Sequence, residues 1–100
     1  MGMDLLHINP ATDHRTGKYI ARDLQYNWSA WRMLEEMLDS WGVDTSEFRF
    51  VNDREVISAD TCRRVADALE SHQEELEYLN LSWLKGHIPA WRDSGGFEQA

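Results

Sequence analysis

The stretch Asn27-Trp28-Ser29-Ala30-Trp31-Arg32-Met33-Leu34-Glu35-Glu36-Met37-Leu38-Asp39-Ser40-Trp41-Gly42 decides how this chain folds. Together with Leu24 just before it, its apolar residues fall at Trp28, Trp31, Leu34, Leu38 and Trp41. That spacing by three and four is the period of a helix with one buried face. Asp23 and Asn27 are both residue types that cap a helix start, and Gly42 can take the left-handed conformation at a helix end without a Cβ penalty. A helix over about residues 27 to 41 follows, and it needs a partner layer to cover its Trp and Leu stripe.

A second helix is expected over residues 59 to 79. Ser58 is an N-cap type, and Asp60 places a negative charge against the positive end of the helix dipole. Its apolar face reads Cys62, Val65, Ala66, Leu69, Gln73, Leu76 and Leu79; its opposite face carries Asp60, Arg64, Asp67, Glu70, Glu74 and Glu77. Asp60 can pair with Arg64 four residues on, whereas Asp67, Glu70, Glu74 and Glu77 form an acidic ridge with no Lys or Arg to answer it.

Shorter apolar runs predict a small sheet. Met3 to Ile8 reads as a strand that stops at Asn9-Pro10, because proline removes a donor and holds the residue before it extended. Ala11 to Gly17 is a loop by composition, and Lys18 to Arg22 reads as a strand or the entry to a helix. Phe48-Arg49-Phe50-Val51 and Glu55-Val56-Ile57 flank Asn52-Asp53-Arg54, which predicts a hairpin. Gly86 and Pro89 break the pattern after residue 80, and Trp83, Leu84, Ile88 and Trp91 are expected to pack a short final segment on the core. The resulting expectation is one domain over residues 1–100, of α+β class and mainly α, with two amphipathic helices on a small sheet or hairpin.

The 100 residues carry a net charge of −8, and the imbalance is local. Residues 35 to 80 hold thirteen acids against four bases, while the flanking stretches are near neutral. Such a surface disfavours direct nucleic-acid binding, which draws on Lys and Arg, and suits a partner protein with a basic surface. No apolar run reaches membrane-spanning length. The lone Cys62 has no disulfide partner, which with the absence of a signal-like start predicts a cytoplasmic protein.

The chemistry-bearing residues read mostly as structure. His7, His14, His72 and His87 lack the spacing of helical zinc ligands, no Cys-x-x-Cys pair is present, and neither metal nor cofactor is expected. Cys62 shares a face with Val65, Ala66 and Leu69, so it reads as a core thiol despite the neighbouring Arg63 and Arg64. His72 reads as a hydrogen-bonded residue at the core edge. Five Trp strain the capacity of a small core, so one or two are expected at the surface, where an indole can anchor a partner.

Met3-Asp4, Asn9-Pro10, Gly17-Lys18-Tyr19 with Arg22, Trp28 with Trp31-Arg32, Asn52-Asp53, Ala66-Asp67-Ala68-Leu69 and the closing Trp91-Arg92-Asp93-Ser94-Gly95-Gly96-Phe97 follow one another along the whole chain. In this succession the chain resembles a family of small uncharacterised proteins of bacteria, phages and prophages. The chain departs from that pattern at Met33, where similar proteins tend to have Pro, and at Arg54, where they have Gly. The cysteine-rich insertion of some relatives is absent between Asn80 and Pro89. The resemblance implies a phage or prophage setting and a structural turn at Ser94-Gly95-Gly96-Phe97, and it carries over no catalytic residue.

The functional expectation is a non-enzymatic protein-binding module acting through Asp67, Glu70, Glu74, Glu77 and Trp28 on a host or phage protein with a basic surface. Two alternatives stand beside it: a small ligand-binding or enzymatic domain lined by Trp28, Arg32 and histidines, and a structural homo-oligomer.

Overall fold

Alternation of buried and exposed residues builds a four-stranded antiparallel sheet that the helices cover on one face. A computed structural model describes residues 2–8 and 23–100. The expectations for Asn9-Pro10, the 11–17 loop, residues 18–22 and His14 lie outside them. The strands are β1 (Gly2–His7), β2 (Leu24–Asn27), β3 (Val56–Ser58) and β4 (Gly96–Gln99), in the order β2-β1-β4-β3. Met3, Leu5, Leu24, Tyr26, Ile57, Phe97 and Gln99 point inward at every second position, the period of a strand with one covered face. Leu5 pairs with both Leu24 and Gln99, and Ile57 pairs with Phe97.

Four α-helices are described: α1 (Trp28–Ser40), α2 (Ala59–Ser71), α3 (Gln73–Tyr78) and α4 (Ile88–Arg92), with a 3₁₀ helix over Ser82–His87 before the last. The fold is therefore α+β, as the sequence predicts. Asn27 is the cap of α1: its side chain accepts the Ala30 N–H at 2.7 Å. At the other end Gly42 (φ 82°) and Val43 donate to the carbonyls of Asp39 and Leu38, the paired bonds of a Schellman motif. Trp31, Leu34 and Leu38 are buried as their spacing requires. Ser58 caps α2 by accepting the Thr61 N–H, and Asp60 pairs with Arg64 at 2.9 Å.

The expected 59 to 79 helix is interrupted at His72. The His72 imidazole Nδ1 lies 2.7 Å from the Ala68 carbonyl oxygen, while its backbone N–H turns to Leu69. A side chain thus takes the carbonyl that the fourth-residue amide would normally use, and the ring stacks on Trp41 with centroids 3.9 Å apart. Beyond this break Gln73 and Leu79 are exposed, where the continuous apolar face predicts burial. Leu76 stays in the core, and α3 ends on Asn80 (φ 60°), with Leu81 N–H donating to Leu76.

The 48 to 57 hairpin is absent. Val56–Ser58 pairs instead with β4 from the far end of the chain. Phe48 is withdrawn into the core, stacked on Trp31 at 4.5 Å between centroids. Residues 47 to 55 are held by the side chain of Gln99, which is completely buried. Its Oε1 accepts the Arg49 N–H at 2.7 Å, and its Nε2 donates to the carbonyls of Glu47 and Glu55, each at 3.0 Å. One amide does the work of a second strand, because each backbone group must find a partner when water is excluded.

Of the residues expected in the closing segment, Leu84 and Trp91 are buried and Ile88 packs against the core, but Trp83 remains 45% exposed. Ser94 shapes the turn into β4: its hydroxyl accepts the Gly96 N–H at 3.0 Å and donates to the Gly96 carbonyl at 2.9 Å. Gly96 has φ 121°, a torsion that favours glycine, and a Cβ there would crowd the Ile57 carbonyl oxygen at 3.1 Å.

Candidate functional site

The acidic ridge of α2 and α3 does not stand unanswered. Arg92, at the end of α4, reaches Asp67 at 3.0 Å with one guanidinium nitrogen and pairs with Glu70 through the other. Lys85 pairs with Glu77. These partners lie between eight and twenty-five residues away, so helical spacing alone could not reveal them. Glu74 is exposed and has no ion pair among the described residues. Trp28 begins α1 and packs half-buried against the core. The five sequence candidates are thereby separated: three carboxylates tie elements together, one faces solvent, and the indole supports the core.

The remaining Trp residues divide in the same way. Trp31 and Trp91 are buried, with Trp31 Nε1 donating to the Arg49 carbonyl at 2.7 Å and Trp91 Nε1 to the Tyr26 hydroxyl at 3.1 Å. Trp41 is half-buried and donates to Glu75.

The thiol, hydroxyl and imidazole groups are built into structure. Cys62 is fully buried on α2, and burial pushes its thiol up to about 11. At neutral pH it is therefore protonated and a poor nucleophile. The sign of the linkage is definite: an unfolded chain ionises near pH 9 while the folded one holds its proton. The thiol's contribution to stability is full below pH 9 and is lost as pH rises through 11. A water-soluble disulfide reagent at pH 8 is expected to label Cys62 only at the rate of unfolding, and fully in denaturant; rapid labelling of the native protein would contradict this burial.

His7 Nδ1 lies 3.1 Å from the Ser94 hydroxyl, but that hydroxyl is buried and committed to the backbone of Gly96. His87 Nδ1 lies 2.8 Å from the Tyr26 hydroxyl. His72 sits at the core edge, hydrogen-bonded as the sequence predicts. Arg32 lies over the Phe50 ring, 5.1 Å from its centroid. Among the described residues no group of three or more His, Cys, Asp or Glu is arranged to hold a metal ion, and no helix is long and apolar enough to cross a membrane.

One surface feature is concave and lined mainly by apolar side chains. Where α1 ends and α3 begins, Trp41 stacks on His72 and bonds Glu75. Further back along α1, Met33, Glu36 and Met37 face Leu79 and Leu81 across an open groove of about 460 Å³. Met33 and Met37 are one turn apart on the same helix face, and two leucines form the other wall. Leu79, after the break at His72, is 46% exposed here instead of buried. Sequence reasoning missed it by treating Leu79 as core and giving Met33 and Met37 no role.

Compared with protein-family models, with curated proteins and with solved structures, the chain has no match.

Proposed function

We propose that this chain is a non-enzymatic protein-binding module of phage or prophage type, acting in the cytoplasm on a protein with a basic surface. The observation that carries the reading is the division among its acids. Asp67, Glu70 and Glu77 are neutralised by Arg92 and Lys85. Glu36, Asp39 and Glu74 are exposed on α1 and α3 without an ion pair among the described residues. Uncompensated charge of one sign steers an oppositely charged partner and raises its rate of encounter. The binding face is accordingly placed on α1 and α3, with Glu74 the sequence candidate that belongs to it.

The test is capture from a bacterial lysate by the tagged protein beside two charge-reversed variants. Basic proteins are expected on the parent, and their release in about 0.5 M salt follows from screening. The triple variant Glu36→Lys, Asp39→Lys and Glu74→Lys is expected to lose them. The variant Asp67→Lys with Glu70→Lys, whose native carboxylates are already paired, is expected to lose far less. Equal capture by the parent and the triple variant would remove this face from the mechanism.

A further inference from the structure

We infer that the groove between α1 and the turn closing α3 receives a basic amphipathic α-helix of the partner, an inference that rests on the protein-binding reading above and gives it a ligand class. Its floor and walls are apolar, from Met33, Met37, Leu79 and Leu81. Methionine is flexible and polarisable, which suits a surface that must fit an incoming side chain. Met33 and Met37, one turn apart on α1, face the two leucines of the turn after α3, an apolar stripe of the kind that takes the apolar face of an amphipathic helix. Its one charged lining residue is acidic: Glu36, exposed on α1 and without an ion pair among the described residues. None of the lining residues is basic. A ligand that is apolar along one stripe and cationic beside it matches both properties. A second copy of this chain, with its net charge of −8, would bring like charge against Glu36, and an anionic membrane would meet the same repulsion.

The experiment uses the full chain and two synthetic peptides of about 18 residues, long enough to form a stable helix. One contains only Leu and Lys, with Leu at the i, i+3, i+4, i+7 spacing of a single helix face. The other has the same composition scrambled to destroy that face. Binding is followed by calorimetry and by the methyl resonances of the methionines, with Met3, buried in the sheet core, as the internal reference.

The amphipathic peptide is expected to bind at least about tenfold more tightly than its scrambled isomer, equivalent to roughly 1.4 kcal/mol. It is expected to shift Met33 and Met37 while leaving Met3 in place. Leu79→Asp, at a side chain already half exposed, is expected to weaken binding about tenfold or more with little change in melting temperature. Glu36→Lys supplies a second variant on the exposed rim and is expected to weaken binding in a salt-dependent way. Equal binding of the two peptides, or shifts that spare Met33 and Met37, would overturn the groove while leaving the basic-partner reading intact. Failure of both peptides to bind would overturn both. Concentration-dependent dimerisation that moves Met33 and Met37 without peptide would assign the groove to a second copy and overturn the inference.

Discussion

Gln99→Leu is expected to destabilise this protein by about 2–5 kcal/mol, although it replaces one buried side chain by another of similar size. The substitution leaves the Arg49 N–H and the Glu47 carbonyl without the partner that Gln99 supplies. Each buried polar group so orphaned costs roughly 1–3 kcal/mol. The Glu55 carbonyl is less affected, because it also accepts the Gln99 backbone N–H at 3.1 Å. Against a total stability of roughly 5–15 kcal/mol for a domain of this size, the loss is large. It should lower the melting temperature by about 4–8 °C for each kcal/mol. Amide exchange at Arg49 gives the local readout: its protection should collapse in the variant before that of the α2 interior. Gln99→Glu is expected to be no better, since it retains an acceptor for Arg49 but sets a second acceptor against the Glu47 and Glu55 carbonyls. A loss below about 1 kcal/mol in denaturant melts would mean that the 47 to 55 segment is held by other contacts.

The second large effect is expected at Trp91. Its indole is fully buried, meets Phe97 edge-on at 5.1 Å and stacks with Phe48 at 6.1 Å. Phe48 in turn stacks on Trp31, so the indole joins α4, β4, the 47 to 55 segment and α1 in one aromatic assembly. Removing it by Trp91→Ala should cost about 3–5 kcal/mol, combining lost burial with the cavity left behind. Trp91→Phe separates the terms. It keeps a ring in the core but deletes the Nε1 donor to Tyr26, and its expected loss is roughly 1–3 kcal/mol. Chemical denaturation of the three proteins checks the order. Equal losses for Ala and Phe would show that the hydrogen bond, and not the packing, carries the residue's contribution.

These two residues show where sequence reasoning reached its limit. Asn27, Ser58 and Gly42 were legible as caps because the relevant physics spans only a few residues of chain. The burial of Cys62 followed likewise from the periodicity of its own helix. Gln99 could not be read in the same way. A glutamine near the end of the sequence carries no local sign that it will bond residues about fifty positions earlier. The missing hairpin follows from the same long-range event. Phe48 to Val51 has the composition of a strand, but the place beside Val56–Ser58 belongs to Gly96–Gln99.

The acidic character of the surface was legible in the sequence, but the pairing of its carboxylates was not. The excess of acid between residues 35 and 80 is a property of composition, which by itself favours a partner with a basic surface. Which acids remain available depends on Arg92 and Lys85, whose side chains reach α2 and α3 only after the chain has turned back through α4 and the 3₁₀ helix. The groove depends on Leu79 standing exposed beyond the helix break at His72, where the imidazole lies against the Ala68 carbonyl. Periodicity, caps and charge distribution thus determined that the chain would form amphipathic helices on a sheet with a negative surface, because each arises from neighbours in sequence. Strand pairing, the compensation of the ridge and the opening between α1 and α3 were decided by tertiary structure alone, because each requires groups far apart in sequence to meet where water is displaced.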